Sequence, residues 1–191
     1  MKIEKIVEST EVITIEQARD HLRIDASGSP ASHPDDTYIT TLISVAREIA
    51  ENYQERSIGI ATYRMTMTGW QDIDLSFPEI IAVNSVKYDD ADNVEQTLSS
   101  VTGYWVSDNR VLFREYPNLY NAPDNVRIEY QAGYDTTSSP AVEVPKSTYQ
   151  AMLLLIGHMY ENRESTMNVQ SYEISLGMKF MLDQHRLNMG L

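Results

Sequence analysis

The chain has 191 residues, of which 42% are hydrophobic and 23% are charged, and this composition excludes an intrinsically disordered protein. Its formal net charge is −13 and no Lys/Arg cluster occurs, which argues against recognition of nucleic acid. The absence of cysteine excludes disulfides, zinc–thiolate sites and a thiol nucleophile. The first ten residues lack the apolar core of a signal peptide, so we expect synthesis in the cytoplasm.

Two helices are predicted in the first third of the chain. Thr14 and Gln17 have the spacing of a capping box, and the apolar period that follows predicts a short helix ending near Arg23. Ser32 and Asp35 form a second possible capping box, at the start of a longer helix. The apolar residues of that longer helix recur on one face for about five turns.

After Gly59 the apolar period changes from helical to two, which is typical of strands. Polar turns divide this region, up to the turn at 132–134, into five to seven short strands. We therefore predict an antiparallel sheet inserted between helical segments.

The segment 144–164 is predicted to be the central helix of the fold. Nearly every residue in 149–160 is apolar, so the helix should be covered on most sides, and Pro145 suits its first turn. The apolar run ends after about a dozen residues, well short of the roughly 20 that a membrane span requires. Beyond it, 165–172 is polar, and 178–187 is predicted to form a last short helix.

No catalytic or metal-binding motif is found. The four histidines lie far apart and none has a second ligand at a zinc-like spacing; we interpret His158 as a hydrogen-bonded core residue. Asp90 and Asp92 resemble the start of a calcium loop, but Glu95 and Val101 occupy the positions that need Gly and Glu, so we interpret the run as a hairpin turn. There is no Gly-rich phosphate loop or Gly-x-Ser-x-Gly elbow, and we expect no enzyme activity, no cofactor and no metal.

Four segments in this order carry a resemblance to a known family: EVITIEQARDHLRID, DDTYITTLISVAREIAENYQERSI, VRIEYQAGY and LLLIGHMYENRE. Together they resemble the head-tail connector (adaptor, head-completion) proteins of long-tailed bacteriophages and prophages. The resemblance extends over residues 13–164. Each segment alone is explained by a capped helix or a turn, and the order and spacing of the segments carry the signal.

The resemblance implies an α+β fold that is mainly a helical bundle of three to four helices with an inserted small antiparallel β-subdomain. On this basis, residues 1–58 are the N-terminal helices of the bundle and 59–134 the β-subdomain. Residues 135–165 are then the central bundle helix and 166–191 a C-terminal docking segment, all within one structural unit.

The resemblance also implies a function without catalysis. Such proteins form a ring under the portal protein, a dodecamer in the virion, that extends the DNA channel and receives the next connector or tail-completion protein. DNA would pass through without specific binding, no membrane is involved, and assembly would take place in the host cytoplasm. The residues expected at the portal interface are Met178, Phe180, Met181, Leu182, His185 and Arg186, and those expected between subunits are Arg47, Glu51, Glu55, Arg56 and Arg163.

Two alternatives remain open at this stage. A stopper or tail-completion protein would also be acidic, free of cysteine and without catalysis, but such proteins are usually dominated by strands. A non-viral binding module or a small hydrolase using carboxylates of the sheet would need a concave pocket with convergent polar groups.

Overall fold

The computed structural model describes residues 1–28, 31–135, 141–163 and 176–187. Within these residues the chain forms four helices and eight strands, which belong to two compact units. The β unit consists of Met1–Thr10 and Gly59–Ala141, and the helical unit consists of Glu11–Ile58 and Val142–Leu191. Each unit has its own hydrophobic core.

The β unit contains two antiparallel sheets. The larger sheet has the strand order β1-β2-β8-β4-β5 and the smaller sheet has the order β3-β7-β6. The strands are β1 (Lys2–Val7), β2 (Ala61–Met67), β3 (Ile73–Asp74), β4 (Ile80–Asp89), β5 (Glu95–Thr97), β6 (Tyr104–Ser107), β7 (Arg110–Phe113) and β8 (Val126–Ala132).

Alternation of apolar and polar residues explains how the two sheets of this unit share one core. On β2 the apolar side chains from Ala61 to Met67 are buried, whereas Arg64 between them pairs across the sheet with Glu129 of β8. Aromatic rings then fill the core between the sheets. The Tyr63 ring stacks on Phe77, with 4.5 Å between ring centroids.

The helical unit contains α1 (Ile15–Leu22), α2 (Asp36–Gln54), α3 (Lys146–Glu161) and α4 (Leu176–Asp183). The predicted capping box at the start of α1 is confirmed, because the Thr14 hydroxyl accepts the Gln17 amide (3.3 Å) while the Gln17 side chain accepts the Thr14 amide (2.8 Å). The apolar faces of α2 and α3 supply most of the buried residues of this unit. No described helix combines the length and the hydropathy that a membrane crossing requires.

The predicted fold class, a mainly helical bundle with a small inserted sheet, is wrong. Helix and strand contribute about equally to the described residues, and the two sheets bury a core of their own, with Met65, Ile128 and Tyr130 fully covered. The sheet region is therefore a unit of the same rank as the helices rather than an appendage to them.

The N-terminal strand β1 was not predicted and contributes to this error. It pairs antiparallel with β2, from which the whole first part of the helical unit separates it in sequence. Five of its six residues are exposed, so burial of one face imposes no clear apolar pattern on the sequence. Residues 1–58 consequently do not form a purely helical segment.

The predicted second capping box is also wrong, although the helix it introduces is present. Asp35 is the residue that precedes α2, but its side chain makes no capping hydrogen bond. Instead its carboxylate accepts hydrogen bonds from Tyr160 and Arg163 of the same unit. Asp36 takes over at the helix start, where its carboxylate accepts the His33 amide at 2.8 Å.

Candidate interaction surfaces

Helix α4 is held onto the end of α2 by a buried polar contact. Gln54 is fully buried, and its Nε2 donates to the Thr148 hydroxyl (3.0 Å) and to the Leu182 carbonyl (2.8 Å). The backbone carbonyl of Gln54 accepts the Leu187 amide at 3.1 Å. One side chain of α2 thus fixes the start of α3 and the end of α4 together.

A second set of polar contacts surrounds this anchor. The Tyr53 hydroxyl donates to the Asp183 carboxylate at 2.5 Å, and this hydrogen bond raises the pKa of Tyr53. The Arg186 guanidinium lies over the Tyr53 ring, 5.1 Å from its centroid, and Arg56 Nε donates to the His185 carbonyl at 2.7 Å. The segment after α4 is therefore tied to α2 through both side chains and backbone.

The six residues predicted at the portal interface lie on opposite sides of α4 and the turn after it. Met178 and Leu182 are buried in the core of the helical unit, and Met181 and His185 are half-buried. Phe180 and Arg186 are exposed, Phe180 at 67% of its surface. The predicted set thus contains both the inner face that anchors α4 and part of its outer face.

The outer face of α4 carries one residue that the sequence analysis missed. Leu176 is 85% exposed and lies four positions before Phe180, so the two side chains share one side of the helix. The spacing of four residues between Leu176 and Phe180 is the sequence signal that could have identified this exposed face, which lies opposite the buried Met178 and Leu182.

Two of the residues predicted between subunits are buried within the helical unit. Arg47 Nη1 donates to Glu51 (3.0 Å), and Arg47 Nε donates to Glu11 (3.1 Å). Glu51 also accepts the Ile58 amide at 3.0 Å. Arg47 and Glu51 expose only 8% and 7% of their side chains, so they form an internal ion cluster that joins α2 to both of its flanking segments.

The other three predicted residues are more accessible. Glu55 caps the C-terminal end of α2 in the left-handed conformation and is half-buried, as is Arg56 beside it. Arg163 is exposed and follows α3 in sequence, and its side chain reaches Asp35, the residue before the start of α2. Arg47 and Glu51 therefore lie on the second half of α2 and Glu55 and Arg56 directly after its end, whereas Arg163 lies apart from them.

Arg163 belongs to an exposed cluster with two tyrosines. The Tyr160 hydroxyl donates to Asp35 Oδ2 at 2.5 Å and Arg163 Nη2 donates to the same oxygen at 2.7 Å. The guanidinium lies over the rings of Tyr38 and Tyr160, 4.7 and 4.6 Å from their centroids. The hydrogen bonds from Tyr160 and then Arg163 lower the pKa of Asp35, and the hydrogen bond to Asp35 raises the pKa of Tyr160.

The acidic run after β4 is a hairpin turn, as the sequence analysis interpreted it. Asp90 Oδ1 accepts the amides of Asp92 (3.1 Å) and Val94 (3.0 Å), and its other oxygen accepts Gln96 Nε2 at 2.9 Å. These bonds, the Val94 amide first, lower the pKa of Asp90. In the part of the chain that the structure describes, no group of three or more His, Asp or Glu residues is arranged to hold a metal ion.

The prediction that His158 is a core residue is wrong. The side chain is exposed near the end of α3, where its Nδ1 lies 3.4 Å from Asn162 Nδ2. The apolar residues around it in sequence suggested burial, but they point to the other sides of the helix, where Ile156 and Leu155 are covered.

The smaller sheet carries an exposed aromatic patch and a cavity. Trp105 is 57% exposed, and the Arg114 guanidinium lies 4.7 Å from its ring centroid. A cavity of about 450 Å³ is lined by Asp74, Ser107, Asp108, Asn109, Arg110 and Leu112. Asp74 lies 3.7 Å from Arg110 and its side chain is 80% exposed, so water screens this pair strongly.

Comparison with known proteins finds similar structures but no related sequence family. No protein-family model matches the sequence, and no curated protein matches it. A chain from the neck of an empty gene transfer agent (GTA) particle, computed with C6 symmetry, superposes with a TM-score of 0.76 at 18% identity, covering 100% of this chain and 98% of that one.

Two further solved structures agree. A chain from the virion of a native GTA particle gives a TM-score of 0.73 at 19% identity, and a chain from the neck of a native GTA particle, computed with C12 symmetry, gives 0.72 at 18% identity. Both comparisons cover 100% of this chain and 98% of the other chain. The protein thus shares its fold with chains from the neck and the virion of GTA particles.

Proposed function

We propose that this protein is a structural component of the neck of a phage-like particle, where it forms a ring between head and tail. The observation that supports this most strongly is the similarity in fold to a GTA neck chain, which extends over all of this chain and nearly all of the other. The resemblance of the sequence to head-tail connectors was independent of that superposition and points to the same role.

Within this role, the finer proposal is that of an adaptor, which docks on the portal protein and extends the DNA channel. The outer face of α4 is the surface proposed for docking, since Leu176 and Phe180 present apolar side chains to solvent while Met178 and Leu182 anchor the helix beneath them. An exposed apolar pair on a firmly anchored helix binds with little loss of conformational entropy.

The contacts between subunits are proposed to involve two places on the helical unit, Arg163 beside the start of α2 and Glu55 with Arg56 at its end. Arg47 and Glu51 would support such a contact from below, by fixing the shape of α2, rather than touch a neighbour themselves. A ring built from two different faces per subunit requires such a heterologous contact.

The acidic charge supports passage of DNA without specific binding. Twelve copies would carry a formal charge of about −150. This charge would disfavour adhesion of DNA to the channel wall, and it would act over about 10 Å, beyond which salt screens it. Replacing exposed acids by Lys should slow DNA passage, and unchanged ejection from particles carrying such variants would contradict this part of the proposal.

The test is to mix the purified protein with the portal protein of the same particle and to determine the mass and symmetry of the complex by electron microscopy. The adaptor proposal predicts a ring of this chain on the portal. Failure to associate at high concentration would overturn it.

A second candidate is another head- or tail-completion protein, such as a stopper. The equal share of strand and helix favours it more than the sequence suggested, because those proteins are usually rich in strands. It predicts that the chain binds to a preformed connector ring and not to the portal itself, so the same mixing experiment with each partner separates the two candidates.

A further inference from the structure

One edge of the larger sheet carries no charged side chain over six residues and lies open. Strand β5 pairs only with Lys87, Tyr88 and Asp89 of the ten-residue strand β4, and the Leu98 amide reaches the Val86 carbonyl. Before that point, at residues 80–85, no strand among the described residues pairs with β4 on the side away from β8.

The sequence of this open edge is unusual for an edge that must stay solitary. Residues 80–85 read IIAVNS, with no charge and no proline, and Ile81 is 37% exposed. Natural sheets protect open edges with charged side chains, proline, very short strands or β-bulges, and of these devices residues 80–85 have only bulges. Two register irregularities between β4 and β8 leave Ile81 and Asn84 without a facing residue on β8 and increase the local twist, so a further strand would have to follow that twist.

The opposite edge of the same sheet supplies a matching strand. β1 also has six residues and pairs with β2 alone among the described strands. Its sequence KIEKIV carries two Lys and one Glu, so it is a net positive segment in a chain of net charge −13. It can approach an acidic second copy with less electrostatic repulsion than most of the surface.

We propose that residues 80–85 of β4 accept β1 of a second copy of this chain, which joins the larger sheets of neighbouring subunits. Because the two edges differ and lie on opposite sides of one sheet, the contact is heterologous and repeats from copy to copy. Backbone hydrogen bonds supply the binding, as in other cases of strand addition. The inference rests on the proposed ring, for which it names a contact between the β units of neighbouring subunits, in addition to the contact proposed for the helical units.

The absence of cysteine makes a direct test possible. Glu4→Cys combined with Ala82→Cys or Asn84→Cys places one thiol on each edge of the same subunit. Facing residues on adjacent strands have Cα atoms about 4.5–5.5 Å apart, within the range for a disulfide. Oxidation of a concentrated sample, alone and with the portal protein, should give a ladder of covalent oligomers that ends at the ring size.

Matched controls separate a specific contact from random collision. Each single-cysteine variant can give at most a dimer, and Glu4→Cys with Val94→Cys, placed on the exposed turn after β4, should give no ladder. As a second measurement, Ile81→Lys should weaken self-association more than ten-fold while Val94→Lys changes it less than two-fold.

The outcomes distinguish this inference from the proposed function. A ring of the expected mass whose paired cysteines do not cross-link, and whose assembly is indifferent to Ile81→Lys, overturns the strand contact and leaves the neck role in place. A chain that stays monomeric with and without the portal protein overturns both.

Discussion

Replacing Gln54 tests whether one buried side chain holds α4 in place. In Gln54→Leu the shape is nearly kept, but the Leu182 carbonyl and the Thr148 hydroxyl lose the donor that reaches them at 2.8 and 3.0 Å. A buried polar group left without its partner costs about 1–3 kcal/mol. The Leu182 carbonyl keeps the His185 amide at 3.3 Å, so we expect the lower part of that range, about 1–2 kcal/mol.

Gln54→Ala removes the same hydrogen bonds and leaves a cavity in addition. We therefore expect a larger loss, about 2–4 kcal/mol. The backbone bond from Leu187 to the Gln54 carbonyl persists in both variants and limits the loss. Gln150→Leu, on the exposed side of α3, is the matched control and should change the free energy of unfolding by less than about 0.5 kcal/mol.

Urea unfolding followed by circular dichroism measures the overall loss, and amide hydrogen exchange locates it. Protection of the amides in α4 should fall about ten-fold for every 1.4 kcal/mol lost, whereas amides of the β unit should keep theirs. If Gln54→Leu lowers the free energy of unfolding by less than about 0.5 kcal/mol, or leaves the α4 amides as protected as in the wild type, then Gln54 does not hold α4 in place.

Three further predictions concern the other contacts. Since hydrogen bonds lower the pKa of Asp35 in the folded state, ionised Asp35 should stabilise the fold fully above its unfolded pKa, and this stabilisation should disappear as the pH falls through its folded pKa. Asp35→Asn should therefore remove this part of the pH dependence of the free energy of unfolding. An unchanged profile in acid unfolding would contradict the prediction. Arg47→Ala should lower the free energy of unfolding by about 2–4 kcal/mol, because it leaves the buried Glu51 carboxylate without its cation. Arg110→Ala, at an exposed pair, should lower it by less than about 0.5 kcal/mol. Equal losses in urea titrations would be inconsistent with the difference in burial between the two pairs. Phe180→Ser should leave the free energy of unfolding within about 0.5 kcal/mol and weaken binding to the portal protein more than ten-fold, with Lys179→Ala as the control; unchanged affinity in a calorimetric titration would remove Phe180 from the docking face.

Local signals in the sequence predicted individual elements well. The capping box at Thr14 and the apolar period of α2 depend on neighbours within a turn or two, and both are present. The hairpin turn at Asp90 is equally local, since its carboxylate binds amides two and four residues ahead.

What could not be predicted depends on contacts between distant residues. Strand β1 pairs with β2, which follows only after the first two helices in sequence. The Asp35 carboxylate accepts a hydrogen bond from Tyr160, far along the chain, and does not cap α2. In the candidate interface, the pattern predicted a short last helix, but the predicted interface set combined its covered residues Met178 and Leu182 with the exposed Phe180. The contact that holds α4 on α2 also comes from Gln54, a polar residue that the apolar pattern of α2 does not mark.

The adaptor role is tested most directly by the mass and symmetry of the complex that the purified chain forms with the portal protein of the same particle. The adaptor role predicts that identical subunits form a closed ring bound to the portal protein, with α4 at the contact. A complex in which the chain binds only a preformed connector, or no complex at high concentration, would contradict the adaptor role.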